Sequence, residues 1–252
     1  MKKDIKVEIL REKNVEKIEN MIESIGKYEI LSYFSNFYDK RSYFKVNDLG
    51  DIAIKDYNPI LILFALCNDN KKLAEYILKY SYPEEKQNLK KIERNSNLDI
   101  ETLRKNLMKT IISGNLDFSK TFAKELYLRS ERDFFEVLYS FSMMGVPQNL
   151  KLFYVYFLEK VFREYKYDDN ILYIVIAYLT KYRDEYSVYI NSSDVDIEIS
   201  TNNFSEDKKI YFRIFNEVIK KYNFKNTNKF KNSLNKHFEQ NFYLNKDIRD
   251  NF

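Results

Sequence analysis

A chain of 252 residues with one His, one Cys, no Trp, four Gly and three Pro lacks most of the usual raw material of catalysis. Cys67 alone rules out an intramolecular disulfide framework and a cysteine-built zinc site, and so few glycines argue against a glycine-rich phosphate loop. A hydrophobic content of 44% argues against global disorder, and a net charge of +4 is no nucleic-acid signature by itself.

The amino terminus, Met1-Lys2-Lys3-Asp4-Ile5-Lys6-Val7-Glu8, mixes both charges and has no apolar run of signal-peptide length. No stretch reaches the roughly 18 apolar residues of a spanning helix. The expectation is a soluble, cytoplasmic protein that does not insert into membranes, unless a secretion system exports it without a cleaved signal. The abundance of Lys, Asn, Ile, Tyr and Phe is what an A- and T-rich genome would supply. That weakens arguments from lysine or aromatic abundance alone.

In chain order, Asn14 can cap a helix carrying Ile18, Met21, Ile22 and Ile25, and Gly26 stops it. Ile30, Leu31, Phe34, Phe37 and Tyr38 repeat at helical spacing. Asp48-Leu49-Gly50-Asp51 reads as a turn, and Ile52–Ile54 as a short strand. Asn58-Pro59 starts the apolar run Ile60 to Cys67, and a partner helix carries Leu73, Ala74, Ile77 and Leu78. Glu84 to Arg94 is charged, with only Leu89 and Ile92 as a stripe. Asp99 caps a helix with Leu103, Leu107 and Ile111 inward, closed by Gly114. Phe118, Phe122, Ala123 and Leu126 mark the next. Ser130-Glu131-Arg132-Asp133 resembles a capping box, followed by Phe134, Val137, Leu138 and Phe141 and stopped by Gly145. Pro147 starts a long aromatic helix through Phe162, and Asp169 caps another from Ile171 to Leu179.

The period then changes. Tyr186, Val188 and Ile190 alternate with polar residues, as do Val195, Ile197 and Ile199 after Asn191-Ser192-Ser193-Asp194, which predicts a β-hairpin near 186–200. Helical spacing resumes from Ser205 with Ile210, Ile214, Phe215 and Val218. A last helix carries Phe230, Leu234, His237 and Phe238, and the tail from Leu244 to Phe252 is expected to fray. The fold class is therefore mainly α: about ten helices in antiparallel pairs, stacked as a solenoid or a compact bundle, with one small β-hairpin. One domain over 1–252 is expected. The alternative is a helical-hairpin array over 1–185 and a basic helical segment over 201–252.

Thr110-Ile111-Ile112-Ser113-Gly114-Asn115-Leu116-Asp117-Phe118-Ser119-Lys120 resembles the turn between the two helices of an ankyrin repeat. The resemblance extends over 105–127. A second window, 58–80, shares the proline-led first helix and apolar second one but lacks the turn glycine. The Thr-Pro-Leu-His signature is absent from both, and the spacing departs from a steady repeat. What the resemblance implies is a degenerate stack of helical hairpins.

The chemical candidates are few. His237 lies on the apolar face of the last helix and lacks an evident orienting carboxylate, so a packed structural histidine is the simpler reading. Cys67 closes an apolar helix and reads as a core cysteine. Acidic pairs at Glu84-Glu85, Asp168-Asp169 and Asp194/Asp196 sit in turns or charged faces, where capping and solvation explain them. No catalytic residue, metal or cofactor is expected. From Ser205 onward eleven Lys/Arg stand against six Asp/Glu. Lys220, Lys221, Lys225, Lys229, Lys231 and Lys236 interleave there with Tyr222, Phe224 and Phe230, the composition that tracks phosphates and stacks bases. The simpler alternative is a solvated face with its aromatics inward. The expected function is non-enzymatic binding of another protein, as a bacterial immunity or inhibitor protein would do it. Nucleic-acid binding through the basic carboxyl-terminal helices is the alternative, and a carboxylate-based enzyme a third reading.

Overall fold

A computed structural model describes residues 4–38, 44–46, 52–54, 57–85 and 96–252. The described residues form fourteen α-helices: α1 (Ile5–Glu12), α2 (Val15–Ile25), α3 (Lys27–Tyr33), α4 (Ile60–Leu66), α5 (Asn70–Tyr80), α6 (Ile100–Ile112), α7 (Leu116–Arg129), α8 (Glu131–Met144), α9 (Lys151–Glu164), α10 (Asp169–Lys181), α11 (Ser187–Ile190), α12 (Glu206–Lys221), α13 (Thr227–Phe238) and α14 (Lys246–Arg249). Two three-residue strands, β1 (Phe44–Val46) and β2 (Ile52–Ile54), pair antiparallel. The turn expected at 48–51 and the stripe of Leu89 and Ile92 lie outside the described residues.

Local chemistry sets most helix starts. Asn14, Asp99 and Ser205 each accept a backbone N–H three residues on, at 3.0, 2.7 and 3.4 Å. Asn115 does the same for α7 through Phe118 N–H, directly after Gly114, whose φ of 75° gives the chain its sharp turn out of α6. Gly26, at φ 91°, both ends α2 and opens α3.

Other starts differ from the expected ones. Asp168, not Asp169, caps α10, taking the N–H groups of Asn170 and Ile171. Asp169 instead binds Lys124 at 2.6 Å. Ser130 caps α8 through Asp133 N–H at 3.3 Å, but its own N–H is spent on Leu126 carbonyl, so no reciprocal box forms. Pro147 opens a short 3-10 turn, and α9 begins only after Leu150, which holds a left-handed φ of 50°.

The two central helices are apolar nearly all round. Ten of the fourteen α9 residues and nine of the thirteen α10 residues are buried, which places them inside the core and not on its rim. Helix α9 packs on α4, α8, α10 and α12, and α10 on α3, α6, α7 and α9. A solenoid confines each pair to its sequence neighbours; here α9 reaches helices far from it on both sides of the chain.

Three expectations need correction. No hairpin forms at 186–200. Ile190 and Asn191 N–H groups bond to Tyr186 and Ser187 carbonyls, closing the short helix α11, and residues 192–200 take no regular secondary structure. Helix α13 supplies the partners that a second strand would have given: Lys229 N–H donates to Asp194 Oδ1, Lys231 pairs with Asp196 and Asn232 donates to Val195 carbonyl. Second, the tail is docked. Leu244 and Ile248 are buried, Leu244 N–H donates to Asp207 at 2.9 Å, and Arg249 pairs with the same carboxylate at 3.0 Å. Third, Phe118 does not face the core: it is 56% exposed and stacks on Phe122. Both ankyrin-like windows are helix pairs, α4–α5 and α6–α7, an arrangement that is not specific to ankyrin repeats. No helix among the described residues is long and apolar enough to cross a membrane.

Candidate functional site

The six lysines singled out in the sequence differ in their partners. Lys220 and Lys225 are exposed and make no ion pair among the described residues. Lys229 lies over the Tyr189 ring, Lys231 pairs with Asp196, and Lys236 donates to Asn191 carbonyl. These three hold the 191–196 segment against α13. The interleaved aromatics Tyr222, Phe224 and Phe230 are all buried, so they present no face on which bases could stack.

Lys221 has a different fate. It reaches the Glu159 carboxylate from the last turn of α12. Glu159 is 5% exposed and is satisfied from four directions. The Tyr139 hydroxyl donates to Oε2 at 2.7 Å, and the Tyr222 hydroxyl donates to Oε1 at 2.6 Å. Arg163 donates to Oε1 at 3.0 Å, and Lys221 to the same oxygen. Burial first, then the adjacent carboxylate, pushes both tyrosine hydroxyls well above their ordinary pKa, so both stay protonated and donating. Two clefts open over this group. One, of about 370 Å³, lies between the amino end of α8 and the carboxyl ends of α9 and α12, lined by Glu131, Arg132, Glu159, Arg163, Lys221 and Tyr222. The other, of about 230 Å³, shares Glu159, Arg163 and Lys221 with it.

His237 and a buried lysine mark a second polar locus. Lys151 Nζ stands 3.0 Å from Asp184 Oδ2, with each side chain 1% exposed. Asp184 also accepts from Asn149 Nδ2 and from Val146 N–H at 3.4 Å. Burial lowers the Lys151 pKa, opposed by Asp184. His237 is 8% exposed, and its buried Nε2 makes no hydrogen bond among the described residues. Burial lowers its pKa, against Asp184 and Glu185. Cys67 sits elsewhere, capping α4 with its thiol toward Asp69 carbonyl, and shares no partner with His237.

A third feature, missed in the sequence, is an open and mainly apolar groove of about 580 Å³ between α6 and α8. Met108, Ile112 and Val137 supply its apolar surface, and Lys105, Lys109 and Glu101 its rim. Its α6 lining recurs at 101, 104/105, 108/109 and 112/113, three turns of one face, or about 17 Å. Arg104 is fixed along it by Glu136 at 2.9 Å and by Asp133. The signal was available: Met108 and Ile112 each follow a residue of the inward stripe Leu103, Leu107 and Ile111, which widens the apolar face beyond what the core covers.

The carboxylates do not converge. Glu125, Glu159, Asp184 and Asp207 are each tied into a separate set of partners. Among the described residues no three His, Cys, Asp or Glu side chains gather so as to hold a metal ion. The chain matches no protein family, and no curated protein and no solved structure shows significant similarity to it.

Proposed function

We propose that this chain is a non-enzymatic protein-binding module, of the inhibitor or immunity type, that seats an amphipathic helix of its partner in the groove between α6 and α8. The observation that supports this is the apolar floor of that groove, where Met108 and the 50% exposed Ile112 stand one turn apart on α6 beside the buried Val137 of α8. A surface helix that is finished by its own fold carries its apolar residues inward; α6 leaves Ile112 outside the stripe of Leu103, Leu107 and Ile111. Straight grooves with apolar floors are how helices are recognised. Among the described residues Lys109 makes no ion pair and Lys105 only a 3.4 Å contact with the exposed Glu101, so the partner helix should place acidic residues opposite these two lysines.

The experiment is site-specific photo-crosslinking in the native cell, with the reactive group at Lys109 or, as a control, at the exposed Glu75 on α5. An adduct at Lys109 but not at Glu75, mapping to an acidic amphipathic segment and lost in Met108→Glu and Ile112→Asp, supports the reading. No adduct at Lys109, or equal adducts at both positions, overturns it.

A further inference from the structure

The clefts above Glu159 have a property that neither core packing nor protein docking requires. The larger one is lined by three cations, Arg132, Arg163 and Lys221, and by two acids, Glu131 and Glu159. The buried Glu159 carboxylate can neutralise one charge. Two cations are nevertheless aimed at it, and with Arg132 and Glu131 counted the lining carries a net charge of +1. Arg132 itself is exposed and makes no ion pair or hydrogen bond among the described residues.

The donors are also unspent. Arg163 uses one nitrogen of its guanidinium on Glu159, and Lys221 one of its three protons. Both side chains keep substantial exposure, 57% and 37%. Both are held in place by a carboxylate that is itself held by Tyr139 and Tyr222. That is pre-organisation: the entropy of ordering two long cationic side chains is spent on folding, not on binding. Arginine forks fit tetrahedral oxyanions in particular, because two parallel N–H groups meet two oxygens.

We infer that the cleft between the amino end of α8 and the carboxyl ends of α9 and α12 is a binding site for a phosphate group, held by Arg132, Arg163 and Lys221. The phosphate lies over Tyr222 and bridges the exposed Arg132 to the pair fixed by Glu159. The adjoining smaller cleft leaves room for whatever the phosphate is attached to. The site stands apart from the α6–α8 groove and does not depend on it.

The test is calorimetric titration of the whole chain at low ionic strength with inorganic phosphate and, separately, with glycerol 3-phosphate. Wild type should bind at least one of them saturably. Tighter binding of the ester assigns the site to phosphomonoesters, and equal binding to the free ion; both support the site. Arg132→Gln should weaken binding about tenfold, the value of one charge-assisted hydrogen bond, with the melting temperature of the free protein unchanged because Arg132 has no partner to lose. Lys105→Gln, on α6 and away from this cleft, should bind as wild type does. Arg163→Gln is the less clean variant, since it strips a donor from buried Glu159. The inference fails if no saturable binding is seen below roughly 10 mM, if Arg132→Gln binds as well as wild type, or if Lys105→Gln weakens binding equally.

Discussion

Gly145→Ala should be one of the most damaging methyl additions in this chain. Gly145 has φ −88° and ψ −174°, backbone that alanine adopts freely. By the usual rule, trimming the freedom of the unfolded chain would stabilise by about 0.4–1 kcal/mol. The surroundings reverse the sign. A Cβ built here meets Asp184 Oδ2 at 2.1 Å and Cγ at 2.7 Å. The carboxylate would have to retreat by about an ångström, and it has nowhere to go: it is 1% exposed and tied to Lys151, Asn149 and Val146 N–H. Moving it uncouples a buried ion pair, which costs about 3–5 kcal/mol. The net loss is about 2–4 kcal/mol, a fall in Tm of about 4–16 °C for a chain of this size. Thermal and urea unfolding of Gly145→Ala would measure it. The cause is separable by a cycle. In a Lys151→Met, Asp184→Ala background the obstacle is gone, and Gly145→Ala should become neutral or mildly stabilising. A single variant as stable as wild type, or a loss that persists undiminished in that background, would refute the reasoning.

Other outcomes follow from the same geometry. His237 has its pKa held below the ordinary 6.5 by burial, against Asp184 and Glu185; the unfolded chain therefore takes up the proton first as pH falls. Its share of stability is complete above 6.5 and is lost as pH falls toward the folded value. The melting temperature should slope downward as pH falls below 6.5, and His237→Gln should flatten that slope; an unchanged slope refutes the assignment. Asp207→Ala leaves the buried Leu244 N–H without its acceptor and Arg249 with only the Leu244 carbonyl, a loss of about 1–3 kcal/mol for the amide alone. Amide exchange should quicken over 244–252 but not in α9 or α10, and protection unaltered in the tail would show that the carboxylate does not hold it. The nucleic-acid reading now rests chiefly on Lys220 and Lys225. It predicts single-strand binding at low salt whose log–log salt slope drops by about 1.4 when both become Glu, two phosphate contacts at about 0.7 each. Absence of binding at low salt, or an unaltered slope in the double variant, ends that reading.

What was legible in the sequence was what is decided within four residues. Asn14, Asp99 and Ser205 each cap the helix that follows because the acceptor and the N–H it satisfies are three positions apart. Gly26 and Gly114 end helices because the left-handed turn is local. The misreadings had non-local causes. Alternation over Tyr186, Val188 and Ile190 suits a strand and a single helical turn equally at that length, and α13, some 35 residues on, settles the matter by taking up Asp194 and Asp196. The tail lacks an amphipathic stripe of its own and docks because Asp207, 37 residues earlier, accepts its backbone. The polar loci were the least legible. Nothing in Lys151 or Glu159 marks them as buried while their partners, Asp184, Tyr139 and Tyr222, lie up to 63 residues away. Lys221 was noticed for its charge, and the carboxylate that gives that charge a place was not.

The docked tail bears on when the fold can be completed. Asp247 closes on Lys79 at 2.5 Å and on the Tyr80 hydroxyl, while Asn251 donates to Tyr76. These contacts join residues 167 to 175 positions apart. At ordinary rates of synthesis Asp247 emerges about 10–30 s after Tyr80. For that interval the α4–α5 pair must wait with its carboxyl end unsealed, long compared with the folding of a helix pair. A newborn chain would present that surface to chaperones until α14 arrives.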